Sequence, residues 1–311
     1  MSDKCFPAAD AHCDFLYGMS FQDYDINSPK QHIRLDKMKQ GNVKLQFFAA
    51  WVDMKLDINP LSQCLNMIDA YYRLLEENPV FTPFTKDFDP SSDKIGTVLT
   101  VEGGEAIERS PENLRMLHKL GVRAMTLTWN YPNSLAYPAT GKHGAKKGLT
   151  LLGKEIIQEM NRIGIAVDVS HLNDAGIDDI LGLSTRPVFA SHSNARAVCA
   201  HPRCLKDEHL KAIAAQGGVV GVNFFYQQLT EKREAVLNDV IHHVEHILNL
   251  CGPDCVAFGS DLDGMNRYPE GLSDSSGFSL ISDALREIGL NDEDIYKVMY
   301  KNLAGYISEF V

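Results

Sequence analysis

Several short stretches of this chain end an apolar, β-rich run on a group that could ligate a metal or move a proton. "DAHCDF" carries His12 and Asp14, "VEGG" carries Glu102, "DVSH" carries His171, "FASH" carries His192 and "FGSD" carries Asp261. On a strand, residues two apart face the same side, so His12 and Asp14 aim at one point. An imidazole nitrogen beside a carboxylate oxygen suits zinc or another borderline divalent ion. A carboxylate ending a buried strand, as Glu102 does, is costly unless it is paired or holds a metal. The glycines that follow it allow close backbone approach. One carboxylate can bridge two ions about 3.5–4 Å apart. His12 and Asp14 would then serve one ion and His171 and His192 the other, with Glu102 shared. Asp261 would be a further ligand, or a general acid/base beside a metal-bound water. Asp263 precedes Gly264 and reads as turn chemistry. Arg203, in "HPRC", could hold a substrate carboxylate by two hydrogen bonds. Trp129-Asn130 and Asn223 end two further runs, and Asn223 is assigned to substrate contact.

These groups need a scaffold that brings strand ends together. A repeated rhythm supplies one: amphipathic segment, glycine, short β-rich run. Glycine after a helix fits a left-handed cap, and apolar runs without alternation fit strands buried on both faces. Such runs fall near 8–13, 43–52, 96–101, 122–128, 165–170, 187–191, 218–225 and 255–260, with helical patterns between most of them. Two more helices are expected over 278–289 and 291–309. Alternating β/α units over this length predict a single-domain α/β protein spanning 1–311, a (β/α)8 TIM-like barrel whose chemistry sits at the C-terminal strand ends. The other candidate, an open doubly wound sheet, lacks any GxGxxG after its first strand.

Composition narrows the function. A net charge of −11 argues against a nucleic-acid or anionic-membrane surface. No apolar run approaches the ~18 residues of a membrane span. "MSDKCFPAADAHCDF" lacks the features of a signal peptide, so a cytoplasmic protein is expected. The seven cysteines, an odd number, suit reduced thiols, and "CGPDC" at 251–255 reads as helix-to-strand packing. "HHVEH" at 242–246 matches an inverted zinc-protease motif. That reading leaves the strand-end groups unexplained, so a polar helix face is preferred. His32, His118 and His209 read as surface residues.

Taken in order, "DAHCDF", "VEGGEAI", "GVRAMTLTWN", "GLTLLGKEIIQEMNRIGIAVDVSH", "PVFASHSNARAVCAHPR" and "FGSDLDG" resemble the membrane (renal) dipeptidase family of binuclear zinc peptidases, from about residue 8 to the end. The resemblance implies a distorted (β/α)8 barrel, with zinc on His12 and Asp14, zinc on His171 and His192, and Glu102 bridging. It implies that Arg203 binds the substrate's terminal carboxylate and that Asp261 is the acid/base. Two positions depart from the family. Trp129 stands where better-known members have a histidine that contacts substrate, and Cys204 stands where asparagine commonly follows the arginine. The expected protein is a zinc-dependent dipeptidase with two divalent ions that activate a hydroxide. It would tolerate a D-residue at the C-terminal position, and Trp129 would take part in substrate binding. Its partner is a small dipeptide, with no nucleic acid, no membrane and no lipid anchor; a homodimer is allowed. Opening of a lactone or cyclic amide at the same site is the first alternative, and a non-catalytic metal-binding protein the second.

Overall fold

The computed structural model describes residues 6–141 and 146–311, so Cys5 lies outside the described residues. Its strands are β1 (Ala8–Asp10), β2 (Val43–Trp51), β3 (Phe81–Pro83), β4 (Ile95–Glu102), β5 (Val122–Thr126), β6 (Ala166–Asp168), β7 (Val220–Val222) and β8 (Val256–Phe258). All pairings are parallel, in the order β6-β5-β4-β2-β1-β8-β7. The ends of this path are joined by the stretch 189–190, where Asp168 bridges Phe189 and Ala190 bridges Val220. The Val169 N–H donates to Phe189 O at 2.9 Å and the Gly221 N–H to Ala190 O at 2.8 Å, so the strands close into a barrel. The expected run at 187–191 therefore contributes two bridges rather than a ladder. β3 was not foreseen; it pairs with the start of β4.

Residue alternation divides the strands between two apolar layers. Phe48 and Ala50 of β2 face outward to the helices, with Leu99 and Val101 of β4. Leu45 and Phe47 face the barrel interior, with Ala9, Val98, Ala124, Ala166, Phe189 and Ala257. The alanines make room there for Phe47 and Phe189, whose rings meet edge-on at 6.3 Å. Tyr300, Leu303, Ile307 and Phe310 close the N-terminal end of the barrel from below. Polar groups are left to the C-terminal end.

Helix boundaries follow local chemistry. Asn59, Ser110 and Thr150 cap Pro60–Glu77, Pro111–Lys119 and Leu151–Ile163 through side-chain oxygens, and Gly164 ends the last of these at φ 84°. The expected helix over 291–309 is Asp292–Tyr296 and Asn302–Ser308 joined by a π turn, Lys297–Lys301. Only Leu35–Gln40 of the pattern before β2 is helical. Cys251 ends one helix and Cys255 leads into β8, as expected of a helix-to-strand connection. His209 departs from its expectation: it is 1 % exposed, with Nε2 3.0 Å from Asp178. Among the described residues, no helix is long and apolar enough to cross a membrane.

Candidate active site

The C-terminal end of the barrel gathers the groups singled out above. His12 and Asp14 follow β1, Glu102 ends β4, His171 follows β6, His192 follows the 189–190 bridge and Asp261 follows β8. The backbone is bent sharply to do this. His171 and Asp261 adopt left-handed conformations, φ 68° and 60°, which cost non-glycine residues about 1–3 kcal/mol each. After Glu102, Gly103 has φ 106°, and a Cβ on Gly104 would lie 2.5 Å from Leu127 O. Neither position tolerates a side chain, which accounts for the glycine pair.

Glu102 faces both halves of the cluster. Its Oε2 lies 3.7 Å from His12 Nε2, which is 3.5 Å from Asp14 Oδ2 and 3.9 Å from Asp261 Oδ1. Its Oε1 lies 2.9 Å from His171 Nε2 and 3.5 Å from His192 Nε2. Ligand atoms of His12, Asp14 and Glu102, and of Glu102, His171 and His192, fall within 4.8 Å of one another in each set; His12, His192 and Asp261 make a third such set.

The hydrogen-bond network decides which imidazole nitrogens carry protons. Ser191 Oγ donates to Asp168 Oδ2 at 2.5 Å, so its lone pair accepts from His192 Nδ1–H at 2.8 Å. Asn130 Oδ1 accepts from His171 Nδ1–H at 3.1 Å and from the Thr140 hydroxyl at 3.1 Å. Both Nε2 atoms are therefore bare lone pairs, yet they face each other at 2.9 Å beside a carboxylate oxygen. Two bare nitrogen lone pairs converging on one carboxyl oxygen are an arrangement a cation resolves. Two further polar atoms of the cluster, His12 Nε2 and Asp14 Oδ1, are buried with no hydrogen-bond partner among the described residues.

Electrostatics agree. Burial, helped by Arg203 and His12, pushes His171 and His192 well below the usual imidazole range, so both are neutral. Burial also drives Glu102 well above the carboxylate range, against the pull of His12. Burial opposes charge on His12, but Glu102, Asp14 and Asp261 override it and lift His12 to about 10. Asp261 is held up to about 6, by burial first, although His12 and Asn223 pull it down. Three carboxylates around a cluster of histidines are short of positive charge, and a proton on His12 answers that shortage only in part. Donor types, lone-pair directions and charge all fit divalent cations.

Above the cluster lies a cavity of about 460 Å³ lined by Asp14, Glu102, Trp129, His171, Arg203 and Asp261 among others. Arg203 is 5 % exposed and held loosely, by Ser193 Oγ and His192 O, each at 3.3 Å; its Nε has no partner among the described residues. Asn223 is fully buried one layer behind the wall, where its amide donates to Asp261 Oδ2 at 3.2 Å. Cys204 also points away, its thiol 3.4 Å from Gln228 O and pushed up to about 12 by burial. Asp263 accepts from the His32 and Ile33 N–H groups, at 2.6 and 3.1 Å, so it pins a distant loop as well as its own turn. In "HHVEH", His242 is exposed, His246 meets Asp207 and His243 is wholly buried between Ala195 N–H and Leu229 O. The three do not converge.

Reasoning from sequence did not reach the supporting layer. Asp10 accepts from Ser260 N and Oγ, at 2.7 and 2.6 Å, and from Gln46 Nε2, at 3.0 Å, which ties the end of β1 to that of β8. Asp168 accepts from Thr126, Ser191 and the Ser170 and Ser191 N–H groups. The visible signal was an aspartate shortly before a histidine in both "DAH" and "DVSH".

A profile of the family described as Membrane dipeptidase (Peptidase family M19) matches residues 3–309. Dipeptidase 3 of Mus musculus is 30 % identical over 311 residues, which take in 96 % of this chain and 63 % of the mouse protein. The chain thus spans less than two thirds of that relative's length. An uncharacterized dipeptidase of Schizosaccharomyces pombe is 33 % identical over 328 residues, covering 94 % of this chain and 78 % of the yeast protein. The crystal structure of a metallo peptidase from Rhodobacter sphaeroides, liganded with a phosphinate mimic of the dipeptide L-Ala-D-Ala, superposes with a TM-score of 0.90 at 26 % identity. That match covers 99 % of this chain and 100 % of the other.

Proposed function

The chain belongs to the membrane dipeptidase family, peptidase family M19, and from that premise we propose that it hydrolyses the peptide bond of dipeptides with two divalent ions. The observation that carries this reading is the meeting of the bare Nε2 lone pairs of His171 and His192 at one buried oxygen of Glu102. His12, Asp14 and Glu102 would hold one ion, and Glu102, His171 and His192 the other. Zinc is the ion this nitrogen-and-carboxylate set favours. Bound there, such ions supply Lewis acidity and bring a water's pKa towards neutrality, which is what amide hydrolysis at pH 7 requires.

The chain's own groups do the rest. Arg203, buried and under-used by the protein, takes the substrate's C-terminal carboxylate and sets its position. Asp261, steadied by Asn223, accepts the attacking water's proton and passes it to the leaving amine. The Trp129 indole N–H is available to the oxyanion as a donor but cannot carry charge as an imidazole could. The cavity of about 460 Å³ suits a dipeptide. Tolerance of a D-residue at the C-terminal position is part of the proposal, supported by the ligand of the Rhodobacter sphaeroides relative. A cytoplasmic setting is supported by Cys13, Cys64, Cys199, Cys204, Cys251 and Cys255, all unpaired.

The test combines metal content with hydrolysis of Ala-Ala, Ala-D-Ala and a lactone by wild type and His171→Ala. Two equivalents of metal, dipeptide cleavage by wild type, and loss of both in the variant are expected. Full activity without metal refutes the mechanism. Lactone turnover with intact dipeptides refutes the substrate.

A further inference from the structure

Five aromatic rings run in unbroken contact beside the metal-binding cluster. Ring centroids are 5.2 Å apart for Phe21 and Tyr17, 5.0 Å for Tyr17 and Trp51, 4.9 Å for Trp51 and Trp129, and 5.6 Å for Trp129 and Tyr131. The middle three line the cavity, and Trp129 lies 6.1 Å from the His171 ring. They come from distant parts of the chain: Tyr17 after β1, Trp51 at the end of β2 and Trp129 after β5. The chain's two tryptophans are both here.

This wall is more than the hydrolytic reading needs. Tyr17, Trp51 and Trp129 are only part-buried, so apolar faces are turned to the cavity. Trp51 Nε1 is a buried donor with no partner among the described residues. Rings that already hold one another lose little freedom when a ligand covers them, and a flat apolar face gains most from another flat apolar group.

Position says which part of a substrate meets the wall. Around the barrel, β2 lies four strands from the 189–190 bridge in either direction, so Trp51 stands across the site from the loop that carries Arg203. A dipeptide with its carboxylate on Arg203 and its scissile carbonyl over the metal-binding cluster extends its N-terminal residue towards Trp51. We propose that Tyr17, Trp51 and Trp129 form the subsite for the N-terminal side chain and select dipeptides that begin with an aromatic or large apolar residue. The proposal rests on the dipeptidase reading and on Arg203 as the carboxylate anchor.

With both tryptophans in the shelf, intrinsic fluorescence reports on this subsite in the unaltered protein. The metal-loaded enzyme is titrated with non-cleavable phosphinate mimics of Phe-Ala and Ala-Ala. The Phe mimic should bind at least about tenfold tighter and shift tryptophan emission to the blue. Equal affinities, or emission unmoved by a bound Phe mimic, overturn the proposal. In steady-state assays, Trp51→Leu should lower the ratio of kcat/KM for Phe-Ala to that for Ala-Ala about tenfold, ~1.4 kcal/mol; an unchanged ratio in folded protein overturns it too. Failure of wild type to cleave either dipeptide counts against the dipeptidase reading, while the fluorescence titration still decides the shelf.

Discussion

Removing one hydroxyl should weaken metal binding without touching a metal ligand. In the chain Asp168–Ser191–His192, Ser191 Oγ stands 2.5 Å from the carboxylate and 2.8 Å from His192 Nδ1. Because its proton goes to Asp168, it can only accept from the imidazole, and His192 must present a bare Nε2. Ser191→Ala takes that acceptor away. The ring is then free to carry its proton on Nε2, which lies 2.9 Å from His171 Nε2 and 3.5 Å from Glu102. A proton there is welcome to the metal-free protein and competes with the ion. Supporting groups of this kind are worth about 10–100-fold in metal affinity, or ~1.4–2.8 kcal/mol. The fold should lose less: Asp168 keeps Thr126 and two backbone N–H groups, and a lost hydrogen bond to a charged group costs about 1.5–3 kcal/mol before the new Nε2–H contact offsets part of it. Competition against a calibrated chelator measures the affinity of each equivalent, and melting of the metal-free protein measures the fold. Affinities within twofold of wild type, in a folded variant, would show that Ser191 does not set the tautomer.

Other perturbations give independent checks. Stripping metal with a chelator should lower Tm and restoring it should recover Tm, since an ion at about 1,000 times its Kd stabilises by ~4 kcal/mol; a Tm indifferent to chelation contradicts the site. Glu102→Gln should abolish metal binding yet leave the metal-free protein at least as stable as wild type, because burial already holds that carboxyl well above its usual range beside Asp14 and Asp261. Lower stability of the metal-free variant would contradict this. Cys204→Asn should cost about 1–3 kcal/mol in denaturant melts, through overpacking of a fully buried site, and leave substrate preference alone; altered preference would place residue 204 at the cavity. Burial depresses His243 to about 4, below the ~6.5 of an unfolded chain. The unfolded state then binds the extra proton between these values. His243's contribution is complete above pH ~6.5 and is lost as pH falls towards 4, by ~2 kcal/mol at pH 5. Urea melts at pH 7 and 5 should show a wild-type difference that shrinks by about that amount in His243→Leu, and an undiminished difference would assign the pH sensitivity elsewhere.

Much of this was legible in one dimension. Apolar runs, capping residues and glycines are local signals that act within a few residues. The barrel class, its helices and the group His12, Asp14, Glu102, His171, His192 and Asp261 could therefore be read in order along the chain. Each of these six stands where a buried run ends, and strand ends of one barrel share one rim. The resemblance to the dipeptidase family rested on the same stretches.

Tertiary closure decided what distance along the chain conceals. The split of Glu102's oxygens between two sets of ligands depends on β4 lying between β2 and β5 in register. Asn223, expected at the substrate, was placed behind Asp261, because one residue's shift at a strand end separates cavity wall from packing layer. His209 was buried by Asp178 rather than left on the surface. Trp51 and Trp129 are 78 positions apart and touch only because the barrel curls their strand ends together. Periodicity and caps determined which residues reach the rim of this protein; ring closure and register alone determined which of them meet.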